Sequence, residues 1–144
     1  MFTGGLAAYP GMGREVLLAF PRLVERIEAA SGSLRESVGW AFNGPDSAPG
    51  AVLDQIWGTA LLSQVHAAIS REVLGITPHA ALGYSAGESN ALVALGVWTD
   101  MRRLVTEMTA SGMFSRQVAG EFGAIRRAWA RPGAPAGRSA PLSS

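Results

Sequence analysis

The chain has 144 residues, of which 48% are apolar and 16% charged, with a formal net charge of +1. That length holds one domain with one core, the apolar content excludes a wholly disordered chain, and a charge so near zero sets up no global field toward nucleic acid or a membrane. All twelve basic residues are Arg, Cys is absent and His occurs twice, at 66 and 79; Schiff-base catalysis, P-loops, thiol chemistry, disulfide scaffolds and Cys- or His-rich metal sites are therefore excluded.

In chain order, Met1–Gly13 (MFTGGLAAYPGMG) reads as a Gly-rich loop after a very short extended piece, and its lack of a basic start and a long apolar stretch sets it apart from a signal peptide. Arg14–Phe20 and Pro21–Ala30 read as two short helices, with Pro21 at the first position of the second, where its missing N–H costs nothing. Ser33 is placed to cap a short helix through Phe42, with Glu36 completing a capping box. Asn43–Gly50 (NGPDSAPG) is a turn-rich loop. The longest periodic segment is Val52–Leu74, where Leu53, Ile56, Trp57, Ala60, Leu61, Val65, Ala68, Ile69 and Val73 recur at helical steps. This spacing predicts one apolar face of a single helix of about six turns. Gly75 ends it and Pro78 keeps it from restarting.

Ala80–Tyr84 (AALGY) predicts a short buried strand, and Ala86–Leu95 a helix with Gly96 as its stop. Thr99 or Asp100 caps a further helix to about Ala110, and Ser115–Trp129 reads as another. Trp40, Trp57, Trp98 and Trp129 are expected to pack on helix faces. No apolar run approaches the roughly 18–20 residues of a membrane-spanning helix, so a soluble, cytoplasmic protein is expected. Met1–Ser115 carries a net charge of −3 and Arg116–Ser144 one of +4. Residues 131–144 (RPGAPAGRSAPLSS) read as a flexible tail behind a domain over 1–130. Helix, strand and helix around a Gly-rich turn follow the grammar of an α/β layer fold, although one strand and a stub at Met1–Phe2 do not make a sheet.

Gly83-Tyr84-Ser85-Ala86-Gly87 matches G-x-S-x-G. The chemistry behind that pattern is a strand turning sharply into a helix, with the central Ser strained and its hydroxyl presented at the helix N-terminus. Free backbone N–H groups there favour a developing oxyanion. Chance alone gives roughly 0.2 matches in a chain of this composition, so weight comes from context: the motif falls where the strand reading stops and the helix reading starts.

The likeness extends past the pentapeptide. ITPHAALGYSAGESNALVALGVW (Ile76–Trp98) resembles the nucleophile segment of malonyl-CoA:acyl-carrier-protein transacylases and of polyketide synthase acyltransferase domains. FTGGLAAYPGMG (Phe2–Gly13) resembles that family's opening loop, and Gln64 in LLSQVHAAI matches a Gln on the helix before the nucleophile strand. GYSAGESNALVALGVW and GEFGAIRRAW (Gly120–Trp129) are most similar to iterative, enediyne-type synthases. The resemblance implies part of an α/β-hydrolase-like large subdomain, mostly helical with a nucleophile-elbow strand, and without the small ferredoxin-like subdomain. It implies Ser85 as nucleophile toward an acyl-CoA, usually malonyl-CoA, and a carrier protein's phosphopantetheine thiol as acceptor. Backbone N–H groups of Gly5 and Ala86 would form the oxyanion hole, and Gln64 and Tyr84 would face the substrate. Other synthase domains are the implied partners; no cofactor, metal, nucleic acid or membrane is implied.

Departures from the family pattern are informative. Tyr84 stands where a His is common, and Ala110 where a carboxylate-binding Arg is expected, with Arg102 and Arg103 too early and Arg116 too late. No His follows Ser85, and the resemblance implies a base in a second half of the domain that this sequence does not contain. The chain is therefore expected to correspond to the N-terminal part of an acyltransferase domain. The abrupt change in composition after Trp129 is read as a hypothesis of a shifted reading frame or a broken gene. Two other readings share the motif: a serine esterase or thioesterase of the α/β-hydrolase type, and a non-catalytic remnant or docking piece of a synthase.

Overall fold

The structure, a computed structural model, describes every residue except 33, 35, 44–49, 118–122 and 131–144. The cap expected at Ser33, most of the Asn43–Gly50 loop and the tail lie outside the described residues. The chain divides into two units, Met1–Glu107 and Met108–Ser144.

In the first unit, α1 (Arg14–Ala19) and α2 (Pro21–Ser31) meet at Phe20, with Pro21 in the first turn of α2. Gly32, at φ 69°, ends α2 and donates its N–H to the Glu28 carbonyl at 2.8 Å. A 3₁₀ segment, Glu36–Phe42, takes the place of the expected short helix. Its Trp40 lies on α3 (Val52–Ala68) at Gly58, where a β-carbon would sit 2.5 Å from the Ser37 carbonyl and 2.8 Å from the Trp40 ring. Glycine costs helix stability, and here it admits an indole and a backbone to the helix surface.

α3 is the hub: it packs against α2, the 3₁₀ segment and α4 (Ala86–Ala94). One apolar face was expected, yet Ile56 to Leu62 are all buried, as are Gln64 and Val65. A helix covered on several sides cannot show a simple stripe, because every direction from its axis meets protein. The α-helix also stops earlier than expected. At Ile69–Val73 the backbone widens into a π-turn, with Leu74 N–H on the Ile69 carbonyl at 3.0 Å and Ile76 N–H on the Ser70 carbonyl at 2.9 Å. Ser70 Oγ donates to the His66 carbonyl at 2.9 Å, a back-bond that competes with the ladder. Gly75, at φ 66°, completes the stop.

Ala80–Tyr84 is not a buried strand. Ala80, Ala81, Leu82 and Tyr84 are exposed, and pairing is reduced to one parallel bridge between Phe2 and Gly83. Phe2 N–H donates to the Leu82 carbonyl at 2.8 Å and Tyr84 N–H to the Phe2 carbonyl at 3.1 Å. With Phe2 as its partner and no other strand among the described residues, the segment leaves its far edge to water. Described secondary structure is therefore mostly helical.

α5 (Met101–Ser111) is capped by Asp100, whose Oδ1 accepts the Arg103 N–H at 2.8 Å. In the second unit a π-turn (Met113–Gln117) begins the stretch expected as one helix over Ser115–Trp129 and α6 (Gly123–Trp129) ends it, and residues 118–122 of that stretch lie outside the described residues. Of the tryptophans, Trp40 and Trp57 are buried as expected, whereas Trp98 is half exposed and Trp129 is exposed.

Leu61, fully buried near the centre of α3, belongs to the core of the first unit. Leu61→Ala is expected to cost about 2–5 kcal/mol in urea unfolding, against a change within about 0.5 kcal/mol for Leu18→Ala on the exposed side of α1.

Candidate functional site

The turn Gly83–Gly87 begins where Phe2 pairs with Gly83 and ends in the first turn of α4. Tyr84 O accepts the Gly87 N–H at 2.9 Å and Ser85 O the Glu88 N–H at 3.0 Å, closing the corner in a few residues. Two contacts make it tight. A β-carbon on Gly83 would lie 2.3 Å from the Gly87 carbonyl oxygen and 2.4 Å from the Glu88 nitrogen. One on Gly87 would lie 2.3 Å from the Phe2 carbonyl oxygen and 2.7 Å from that of Thr3. Backbone meets backbone at both positions, so only glycine fits.

Between these glycines, Ser85 adopts φ 55° and ψ −125°, the one positive φ among described non-glycine residues. Such a conformation costs an L-residue about 1–3 kcal/mol and persists only where its surroundings over-determine it. Ser85 is exposed, stands at the N-cap of α4 and spends no side-chain hydrogen bond on capping. Ala86, the first helical residue, has an N–H with no acceptor within the helix.

The opening loop lies alongside. A β-carbon on Gly4 would sit 3.3 Å from Tyr84 Cδ1 and 3.6 Å from Ser85 Cβ. Gly5 is buried against α3, where a β-carbon would come within 2.7 Å of Ile56 Cγ1. The Gly5 carbonyl accepts the Thr59 hydroxyl at 3.1 Å. Tyr84 points outward, 76% exposed. Gln64 lies inside at 7% exposure, and its Nε2 donates to the Asn90 carbonyl of α4 at 3.1 Å. Asn90 is itself buried, and its Nδ2 has no hydrogen-bond partner among the described residues.

Other candidate groups are placed elsewhere. His66, on α3, and His79, before the turn, are exposed. Arg102 donates to the Ala29 carbonyl at the end of α2, at 3.1 Å. Arg103 pairs with Glu107 at 2.7 Å, and that hydrogen bond and charge hold the guanidinium pKa above its ordinary value. Ala110 is exposed on α5. Among the described residues no three His, Cys, Asp or Glu gather as a metal site, and no helix is long and apolar enough to cross a membrane. A cleft of about 400 Å³ opens between α2, α3 and the segment after α4, lined by Arg26, Arg71, Glu72, Trp98 and Met101 among others; Ser85 does not line it.

Thr59 and Asn90 carry buried polar contacts that sequence reasoning did not single out. The signal available was a polar residue inside an otherwise apolar helical window (IWGTALL for Thr59), which period counting alone passes over.

Over most of its length the chain is similar to polyketide synthases. It is 31% identical over 112 residues, 73% of this chain, to polyketide synthase GfsA of Streptomyces halstedii. It is 30% identical over 98 residues, 67% of this chain, to a mycocerosic acid synthase-like polyketide synthase of Mycobacterium tuberculosis. The chain spans 2% and 5% of the length of these two relatives. No family model matches the chain, and no solved structure matches it.

Gly83→Ala is expected to abolish cooperative unfolding of the first unit, because the added carbon meets backbone that cannot swing away. Gly39→Ala, in open space on the 3₁₀ segment, is expected to change stability by no more than about 1 kcal/mol in the same thermal melt.

Proposed function

We propose that this chain is the nucleophile-bearing part of a polyketide synthase acyltransferase domain, a piece of an α/β-hydrolase-like large subdomain, and that Ser85 is the nucleophile. The observation that carries this reading is the backbone of Ser85, strained at φ 55° between two glycines that admit no β-carbon, with its hydroxyl free at the start of α4. An ordinary strand-to-helix turn has no need of that strain. The similarity to polyketide synthases supplies the context in which a strained serine serves acyl transfer.

In the proposed reaction Ser85 Oγ attacks the thioester carbonyl of an acyl-CoA, malonyl-CoA being the expected donor. The C–O bond forms, the C–S bond breaks and the coenzyme A thiol leaves with the serine proton. A carrier protein's phosphopantetheine thiol then takes the acyl group, and the serine recovers its proton. The Ala86 N–H, at the positive end of α4, and the Gly5 N–H, in the adjoining loop, stabilise the oxyanion. Tyr84 lies on the exposed side, where substrate and the neighbouring synthase domains approach.

The proton acceptor is not assigned to this chain: no His follows Ser85, and His66 and His79 belong to α3 and the loop before the turn. A missing general base slows acylation by about 100- to 10,000-fold, so the chain by itself acylates slowly and does not turn over. Incubation with radiolabelled malonyl-CoA or acetyl-CoA is expected to give up to one equivalent of stable label over hours, on the peptide containing Ser85. Ser85→Ala is expected to lose that label by at least about 100-fold while melting as the parent does. Label that survives in Ser85→Ala, or rapid multiple turnover onto a carrier protein, overturns the reading.

A further inference from the structure

We infer that Thr59 and Gln64 are positioning residues: from opposite sides of buried α3 they hold in register the two segments that form the Ser85 site, an inference that rests on the reading of Ser85 as nucleophile. The residues stand five apart, so their side chains leave the helix about 140° from one another. Thr59 faces the opening loop and Gln64 faces α4, and each is more than nine-tenths buried.

Thr59 acts on the loop. Its hydroxyl lies between the carbonyls of Gln55 and Gly5, sharing one proton between the helix's own backbone and the loop. The preceding peptide plane is held as well, by the Ala7 N–H on the Gly4 carbonyl at 3.3 Å. Gly5 therefore has both flanking peptide planes tied, although glycine is the residue with most backbone freedom to lose. A donor N–H stabilises charge without reorganising only when its peptide is already oriented, and these two bonds orient the one at Gly5.

Gln64 acts on the helix. Its Nε2 holds the Asn90 carbonyl, just over one turn beyond the Ser85 corner. α4 carries Ser85 at its N-cap and Ala86 at its first position, so the bond sets how that helix end sits against α3. In the same interface Asn90 Nδ2 has no hydrogen-bond partner among the described residues, so the Gln64 bond to the Asn90 carbonyl is what ties that residue to α3 by a side chain. Both side chains, Thr59 and Gln64, are more than nine-tenths buried and end on backbone carbonyls, so in this inference both act through backbone.

The test compares Thr59→Val, which keeps shape and loses the proton, with Thr59→Ser, which keeps the proton, and adds Gln64→Met. Two measurements are made on each chain: backbone amide resonances of Leu6 and Ala91, which follow the carbonyls bound by Thr59 and Gln64, and the burst of p-nitrophenolate from p-nitrophenyl acetate, corrected with Ser85→Ala. Thr59→Val is expected to move the Leu6 resonance and slow the burst about 10-fold, with Thr59→Ser restoring both to near the parent. Gln64→Met is expected to move Ala91 and slow the burst similarly, all at a temperature where each chain is folded. Unmoved Leu6 and Ala91 resonances overturn the inference, and so does a parent-like burst despite moved resonances, which reduces both residues to packing. A parent chain with no Ser85-dependent burst overturns the nucleophile reading itself, and with it the functional half of the inference, whatever the resonances show.

Discussion

Two backbones cross at Gly83 and Gly87 with no room between them for a β-carbon, and most of what distinguishes this chain depends on that crossing. The Phe2 carbonyl presses on Gly87, and the first turn of α4 presses on Gly83. A chain that leaves an extended segment and enters a helix within so short a distance must put one residue into a region that L-residues avoid, and that residue is Ser85. The strain at Ser85 is thus a consequence of packing elsewhere. Its cost, about 1–3 kcal/mol, is offset by burial around α3, where Leu61, Val65, Ala60 and Leu62 are sealed from solvent.

α3 serves stability and site geometry through the same surface. Its apolar side chains make the core, and the two polar ones buried with them, Thr59 and Gln64, reach a loop carbonyl and a helix carbonyl on either side of the Gly83–Gly87 corner. Buried polar groups are costly unless bonded, so their presence inside an apolar helix marks positions where direction matters more than burial. Gly58 is the complementary device on another side of the same helix: by omitting a side chain it lets Trp40 and the Ser37 carbonyl close over α3.

Much of this was legible in the sequence, for local reasons. Pro21, Gly75, Gly96 and Asp100 mark helix starts and stops through chemistry confined to a residue or two, and the structure places boundaries at or beside each. The corner at Ser85 was legible because G-x-S-x-G states its own steric requirement. What the sequence did not disclose depends on neighbours. The Val52–Leu74 periodicity suggested one covered face, yet α3 is surrounded, and its last turn widens at Ile69–Val73. AALGY has strand composition, but composition does not create a partner, and beyond the Phe2 bridge the segment is exposed. Thr59 and Asn90 went unnoticed because a buried polar contact is a property of two segments far apart in the chain.

The central claim is that one serine, of the thirteen in the chain, is set apart by its backbone for nucleophilic attack. Treatment of the folded chain with a fluorophosphonate, followed by mass-spectrometric mapping of the adduct, tests it most directly. A single adduct on Ser85, absent after urea unfolding, is the predicted result. Adducts spread over several serines, or none on Ser85 in the folded chain, would contradict it.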